Sequence, residues 1–484
     1  MKTKISMVRL FLVFTSFLAA YSCDKFFDPD IETLLKEDQN FTDYLSSRSS
    51  VNGLYALLQD VMDSYIINGE LKADMLTVTE LANEDLVRIY NMDFSPDNSY
   101  FDVLPLYTVV SNANDVIWHL EKLIDQGTSY DEELLNMYAE SVIVRSWVYF
   151  YLIRNYKNVA YLSEEYTSTG SNGTLEEWLA ENKSEITGVD EIISDVQEVI
   201  GSLDPGNFTQ TGFFNIASGY AFLGEMFLWK DDYVNAVEAL LNSAHSADNF
   251  RFILDNDLEN AKWQNIFKGD ETASDEIMTK INFNKGGKQQ NDLLNLFSSI
   301  SPTGAQLDPV GESLESLQGS YRYDGTFKSY TDVGKYTRSI DEPFTSDMPV
   351  ILYRAADVHL MLAEAYNRLG NLTVALDLVN DGSDSLFTAF SKGVRGRIDL
   401  DPIQANGDNL EDLIIDLENK IIMERADELA FEGKRWYDLV RIARRRSNSN
   451  YIVDHMQKKY PGMEISEIEA FYGDPNNWFI ELDY

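Results

Sequence analysis

Six positions recur at a fixed interval of 139 residues. Tyr220, Leu223, Gly224, Phe227, Ala236 and Leu240 return as His359, Leu362, Ala363, Tyr366, Ala375 and Val379. Within each set the spacing is that of a tetratricopeptide hairpin, with a small residue facing a neighbouring helix and then Ala-x3-bulky on the second helix. One such hairpin cannot bury its apolar face, so several must stack. The pattern therefore predicts a mainly α chain in which tetratricopeptide-like hairpins form a right-handed superhelical layer. Residues 131–157 and 411–446 read as degenerate partners. Scaffold is expected over 41–68, 102–160, 211–245, 348–382 and 411–446 of a single body spanning 41–484. Loop-rich, ligand-side insertions are expected over 69–101, 246–347, 383–410 and 447–484, with few short strands, one of them in EIMTKINF (276–283).

The chain start carries a different signal. Lys2, Lys4 and Arg9 precede an apolar run, LFLVFTSFLAA (10–20), and the only cysteine, Cys23, follows it. A basic start, a short apolar stretch and small residues make a signal peptide over 1–22 rather than a membrane span. A lone cysteine permits no intramolecular disulfide. Its position resembles the lipobox of bacterial lipoproteins, although Tyr21 stands where a small residue is usual. Cys23 is thus the expected lipid anchor, followed by a tether over 23–40. With 80 acidic against 39 basic residues, the formal net charge is −41. Such a surface repels nucleic acid and anionic headgroups and favours uncharged or cationic ligands.

Reaction chemistry is sparse. The four histidines, His119, His245, His359 and His455, are widely spaced and lack a second ligand type at metal spacing. His359 occupies a repeat packing position. There is no HExxH, cysteine cluster or GxSxG. NKGGKQQ (284–290) lacks the upstream glycine and the following Ser or Thr of a phosphate loop. Among 80 acids some pair is always close, so paired carboxylates carry no signal by themselves.

One segment concentrates charge, ERADELAFEGKRWYDLVR (424–441). Arg425, Glu428, Glu432, Arg435, Asp438 and Arg441 step by three or four with alternating sign. On one helix, successive members would be neighbours, Glu432 beside Arg435. Gly433 within it is costly unless another backbone approaches closely. The combination reads as a structural charge ladder between helices, because a catalytic carboxylate needs a cleft and a perturbed pKa.

The same segment closely resembles the C-terminal signature of the SusD/RagB family of outer-membrane nutrient-binding lipoproteins. LYTVVSNANDVI (106–117), AESVIVRSWVYFYLIRNYKNVAYL (139–162) and MPVILYRAADVHLMLAEAYNRLGNLTVAL (348–376) resemble further family blocks in the same order. YKNVAYL departs from the usual Tyr-Gly-x-x-Pro turn, Asp357 replaces a usual Glu, and 381–397 inserts residues, a feature nearer the RagB side. The resemblance implies a cell-surface lipoprotein on the outer membrane that captures oligosaccharide and passes it to a SusC-like TonB-dependent barrel. It implies no cofactor, no metal and no reaction. Peptide capture, surface hydrolysis and a protein-only adaptor remain the alternatives.

Sugars present apolar faces rimmed by hydroxyls, so a site wants aromatics beside amides and acids. RIYNMDFSPDNSYF (88–101) has that composition and supplies Tyr90, Asn91, Phe94, Asn98 and Tyr100 as candidates. It precedes the Ala-Asn helix, where the resemblance implies a ligand loop. GSYRYDGTF (319–327) adds Tyr321 and Tyr323, with Arg322 and Asp324 as the structural pair that the resemblance implies.

Overall fold

Three acids, Asp131, Glu132 and Glu133, open a 25-residue helix that closes on Arg154, so charge matches the helix dipole at both ends. In the computed structural model this helix, Asp131–Asn155, is buried almost all round from Ala139 to Leu152 and forms the centre of the molecule. The structure describes residues 44–127, 130–157, 159–162, 188–204, 212–245, 263, 266–267, 276–284, 289, 291–299, 301, 303–310, 321–327, 332–337, 347–382 and 392–482. Cys23, the signal segment 1–22 and the tether 23–40 lie outside them.

The scaffold runs in chain order through α1 (Tyr44–Gln59), α2 (Leu104–Gln126), α3 (Asp131–Asn155), α4 (Asp190–Gly201), α5 (Ile216–Trp229), α6 (Tyr233–His245), α7 (Ala355–Arg368), α8 (Leu372–Val379), α9 (Leu410–Glu428), α10 (Arg435–Arg445), α11 (Asn450–Lys459) and α12 (Ile465–Tyr472). Pro105 sits in the first turn of α2, where a missing N–H costs nothing. Gly127, at φ 66°, ends it. A capping box opens α5: the Asn215 side chain accepts from Ser218 N at 3.0 Å, and Ser218 Oγ accepts from Asn215 N at 2.9 Å.

Hairpin α2–α3, helix α4, hairpin α5–α6 and hairpin α7–α8 pack in sequence, with α9 closing on α7 and α1 lying across α2 and α3. The fold is mainly helical with few short strands, as the repeat requires. Its packing reason is visible at Gly224, where a Cβ would meet Leu240 Cγ at 2.4 Å. The repeat equivalents Ala363, Ala375 and Val379 are wholly buried.

Among the described residues, three two-stranded sheets decorate this layer. β1 (Leu76–Val78) pairs antiparallel with β4 (Leu307–Pro309), Thr77 opposite Asp308. β2 (Tyr156–Lys157) pairs parallel with β6 (Ile480–Glu481). β3 (Ile277–Ile281), the strand expected over 276–283, pairs antiparallel with β5 (Val350–Arg354), and both are buried along their length. The stretch 447–484, read from sequence as loop-rich, contains α11 and α12.

The charged segment is a corner rather than one helix. α9 ends at Glu428, Phe431 and Gly433 take φ 65° and 78°, and α10 starts at Arg435. Gly69 is needed for a backbone crossing here, since a Cβ on it would lie 2.2 Å from Gly433 O, and a Cβ on Gly433 itself would lie 2.5 Å from the Tyr65 ring.

Candidate functional site

Most charges at the corner are spent on distant elements, while Asp438 and Arg441 pair along the face of α10. Glu428 meets Arg354 at 2.7 Å, Arg397 at 2.5 Å and Arg322 at 2.8 Å. Glu432 takes Lys335 at 2.7 Å and Arg354 Nε at 2.9 Å. Arg435, expected beside Glu432, instead holds Asp74 through two bonds of 2.7 and 2.8 Å. Asp438 joins Arg425 at 2.9 Å and Arg441 at 2.6 Å, and Arg441 reaches Glu364. Arg322 is fully buried against Glu424 and Glu428, so its partners are these glutamates.

Burial alone would raise the Glu428 carboxyl, but Arg397, Arg322 and Arg354 outweigh it and hold it at about 2. Burial would likewise raise the Glu432 carboxyl, but Arg354 and Lys335 outweigh it and hold the group below its ordinary value. A general acid or base needs the opposite, an accessible group poised near the working pH. His359 is buried, with Nδ1 2.8 Å from Ala355 O, and burial pushes its imidazole down to about 4. That is a core histidine, as its repeat position indicates.

The 88–101 stretch is half packed. Residues Glu84–Tyr90 form a short helix capped by Asn83, whose side chain accepts from Leu86 N at 2.9 Å. The Tyr90 ring lies 5.1 Å from Tyr460, and Phe94 meets Phe101 and Phe471 edge-on at 6.0 and 5.1 Å. Asn98 is buried, accepting from Tyr100 N at 3.0 Å and donating to Asp85 O at 2.9 Å. Its amide therefore shapes the turn. Asn91 is exposed just beyond the helix end, and Arg88 ties the stretch together through Asp93 and Asp97. Tyr323 packs 5.0 Å from Phe327, which meets Phe431 of the corner. The Tyr321 and Asp324 side chains fall outside the described set.

Tyr100 faces differently. Its hydroxyl accepts from Asn83 Nδ2 at 3.0 Å, Asn83 N donates to Gln306 Oε1 at 3.0 Å, and Thr79 Oγ1 donates to Ala305 O at 2.7 Å. The β1–β4 ladder thus draws the 79–101 and 301–310 loops onto one surface. There the partly exposed Tyr100 is joined to Asn83 and through it to Gln306, and the exposed Leu81 lies against Gly304, which Thr303 precedes in the chain. Asp63 adds an acid near Tyr100, its carboxyl pushed up to about 7 by burial and then by Asp292. An aromatic and an aliphatic surface rimmed by amides and a hydroxyl suits a sugar. Leu81, Asn83, Gln306 and Thr303 were not singled out from sequence. Asn83 alone carried a local signal, as an N-cap ahead of Glu84 and Asp85.

Comparison with known proteins bears out the family resemblance. Residues 305–469 match the model of the SusD family. A SusD-like protein, P38, from Formosa agariphila is 23% identical over 89% of this chain and 90% of its own length. Among solved structures, a sugar-binding protein from Bacteroides vulgatus, described as putative in its own name, superposes with a TM-score of 0.64 at 19% identity, covering 82% of this chain and 86% of that one. A laminarin-binding SusD-like protein superposes with a TM-score of 0.63 at 16% identity, covering 90% and 96%. At those identities the structures establish a shared fold.

Proposed function

We propose, from a chain that is SusD-like in sequence over 305–469 and in fold across most of its length, that it binds oligosaccharide at a cell surface without cleaving it. The observation carrying this reading is the surface built by the β1–β4 ladder, where Tyr100 is joined to Asn83 and through it to Gln306, and Leu81 lies against Gly304. The acids of the signature corner are engaged by arginine and lysine, so they serve the fold. Capture is followed by transfer to a SusC-like TonB-dependent barrel in the outer membrane, with the body tethered through lipid on Cys23. The lone cysteine behind an apolar run supports the tether, and no helix among the described residues is long and apolar enough to cross a membrane.

A RagB-like peptide-binding role is the second reading, favoured by the net charge of −41, which suits cationic peptides. Incubation of purified protein with oligosaccharide and peptide libraries separates the readings. Retention of intact oligosaccharide supports the first, retention of basic peptides the second, and release of cleaved fragments would overturn both.

A further inference from the structure

Two lysines are buried beside the 88–101 stretch with no carboxylate of the described residues at salt-bridge distance, although the charge of Asp74 acts on Lys459. Lys72 is fully buried; its Nζ lies 5.0 Å from the Phe94 ring, 5.1 Å from the Trp436 ring and 3.4 Å from Trp478 O. Lys459 is 2% exposed; its Nζ donates to Leu71 O and, at 2.9 Å, to Ala73 O. It also lies 5.6 Å from the Tyr90 ring and 5.4 Å from Tyr460. Neither forms a salt bridge with a carboxylate of the described residues. The surrounding acids are committed elsewhere: Asp74 to Arg435 and His455, Glu70 to the backbone N–H groups of Gly433 and Lys434, and Asp93 to Arg88. Tyr460 donates to Tyr90 O at 2.7 Å, and its hydroxyl lies 3.4 Å from that of Tyr472.

We infer that Lys72 and Lys459 are positioning residues that latch the 88–101 stretch to the scaffold, one through Phe94 and one through Tyr90, and that loss of their protons tightens the latch. An uncharged amine fits an apolar cage and still donates to the carbonyls. An ammonium there keeps only partial compensation from ring faces and carbonyl dipoles, so it favours opening towards water. Burial pushes both amines down to about 7, whereas an amine released with the loop returns to the ordinary lysine value, about 10.4. Between those values the open form binds more protons than the closed one. Closure therefore strengthens as pH rises above 7, by about tenfold per pH unit for each lysine released, and is flat below 7. The latch itself stands on the packing of these side chains. Its consequence for binding rests on the reading of this stretch as part of the ligand face.

The test is hydrogen exchange of the full chain between pH 6 and 9, corrected for intrinsic exchange, comparing the 85–101 peptide with α5 of the scaffold. Wild type is expected to show loop protection that is flat below pH 7 and climbs above it, with the loop always exchanging faster than α5. Lys72→Met and Lys459→Met each remove part of the slope, and the double variant is flat. A flat wild-type profile overturns the latch, as does an undiminished slope in the double variant, or a loop that exchanges in step with α5 at every pH. Laminarin affinity on the same samples separates the two claims. A sloping loop with unchanging affinity keeps the latch and counts against the ligand face.

Discussion

Replacing Glu432 by Gln removes one charge from a buried cluster and leaves its volume. Glu432 is 3% exposed and accepts from Lys335 Nζ at 2.7 Å and from Arg354 Nε and Nη2 at 2.9 Å each. The variant leaves Lys335 in the interior without its carboxylate, while Arg354 keeps Glu428 and Glu276, and breaking such a buried pair from one side costs roughly 3–5 kcal/mol. Unfolding entropy near the midpoint is about 2.1 cal/mol/K per residue, or roughly 1 kcal/mol/K for a chain this long, so Tm should fall by roughly 3–5 °C. Because the folded Glu432 carboxyl is lowered, its contribution is complete above the unfolded carboxylate range and is lost as pH falls through the folded value. The gap in Tm between wild type and variant should therefore narrow on acidification. Double-mutant cycles read by calorimetry identify the partner: Glu432 should couple to Arg354 and behave additively with Arg435, within about 0.5 kcal/mol. Coupling to Arg435 with none to Arg354 would refute the geometry of the corner.

Gly69→Ala drives a methyl into Gly433 O, which a Cβ would approach to 2.2 Å, and should destabilise by about 1–3 kcal/mol or more; an unchanged urea midpoint would contradict the crossing. Glu70 is raised to about 8 by burial, against the N–H groups of Lys434 and Gly433, so the folded chain keeps a proton that the unfolded chain has lost. Stability should fall from about pH 4.5 to about 8 by at most about 1.4 kcal/mol per unit, and Glu70→Gln should remove that slope. Parallel pH profiles of denaturant midpoints would count against it. Cys23→Ser should release the protein from the membrane fraction, and unchanged fractionation would remove the lipid tether.

The helical layer was legible because its signal is local. Gly224 and Leu240 meet within one hairpin, and the repeat places Ala363 and Val379, both buried, at the equivalent positions. The corner was legible as structural charge but not in its pairing. Spacing of three and four suggested neighbours on one helix, which holds for Asp438 and Arg441, whereas Phe431 and Gly433 turn the chain, Arg425 meets Asp438 across the corner, and the other partners come from residues 74, 322, 335, 354, 357, 364 and 397. No periodicity encodes contacts of that range. The same limit applies to the ligand face. Composition located aromatics in 88–101, but whether a ring is covered depends on Tyr460 and Phe471, far along the chain. Tyr90 and Phe94 are partly buried there, so their truncation carries a cost in stability that the sequence did not disclose. α11 did show apolar spacing at Ile452, Val453 and Met456, and its short span before Pro461 and Gly462 hid it among turn residues.

Titration calorimetry of the purified protein with the oligosaccharide retained from the library screen, repeated with Tyr100→Ala and with the recovered ligand checked for cleavage, tests the central claim most directly. An aromatic stack is worth on the order of 1 kcal/mol, so saturable binding by wild type, several-fold weaker in the variant at a temperature where both are folded, with ligand recovered whole, is the expected result. Binding indifferent to Tyr100, or sugar returned in pieces, would contradict an account in which this surface captures oligosaccharide and leaves it intact.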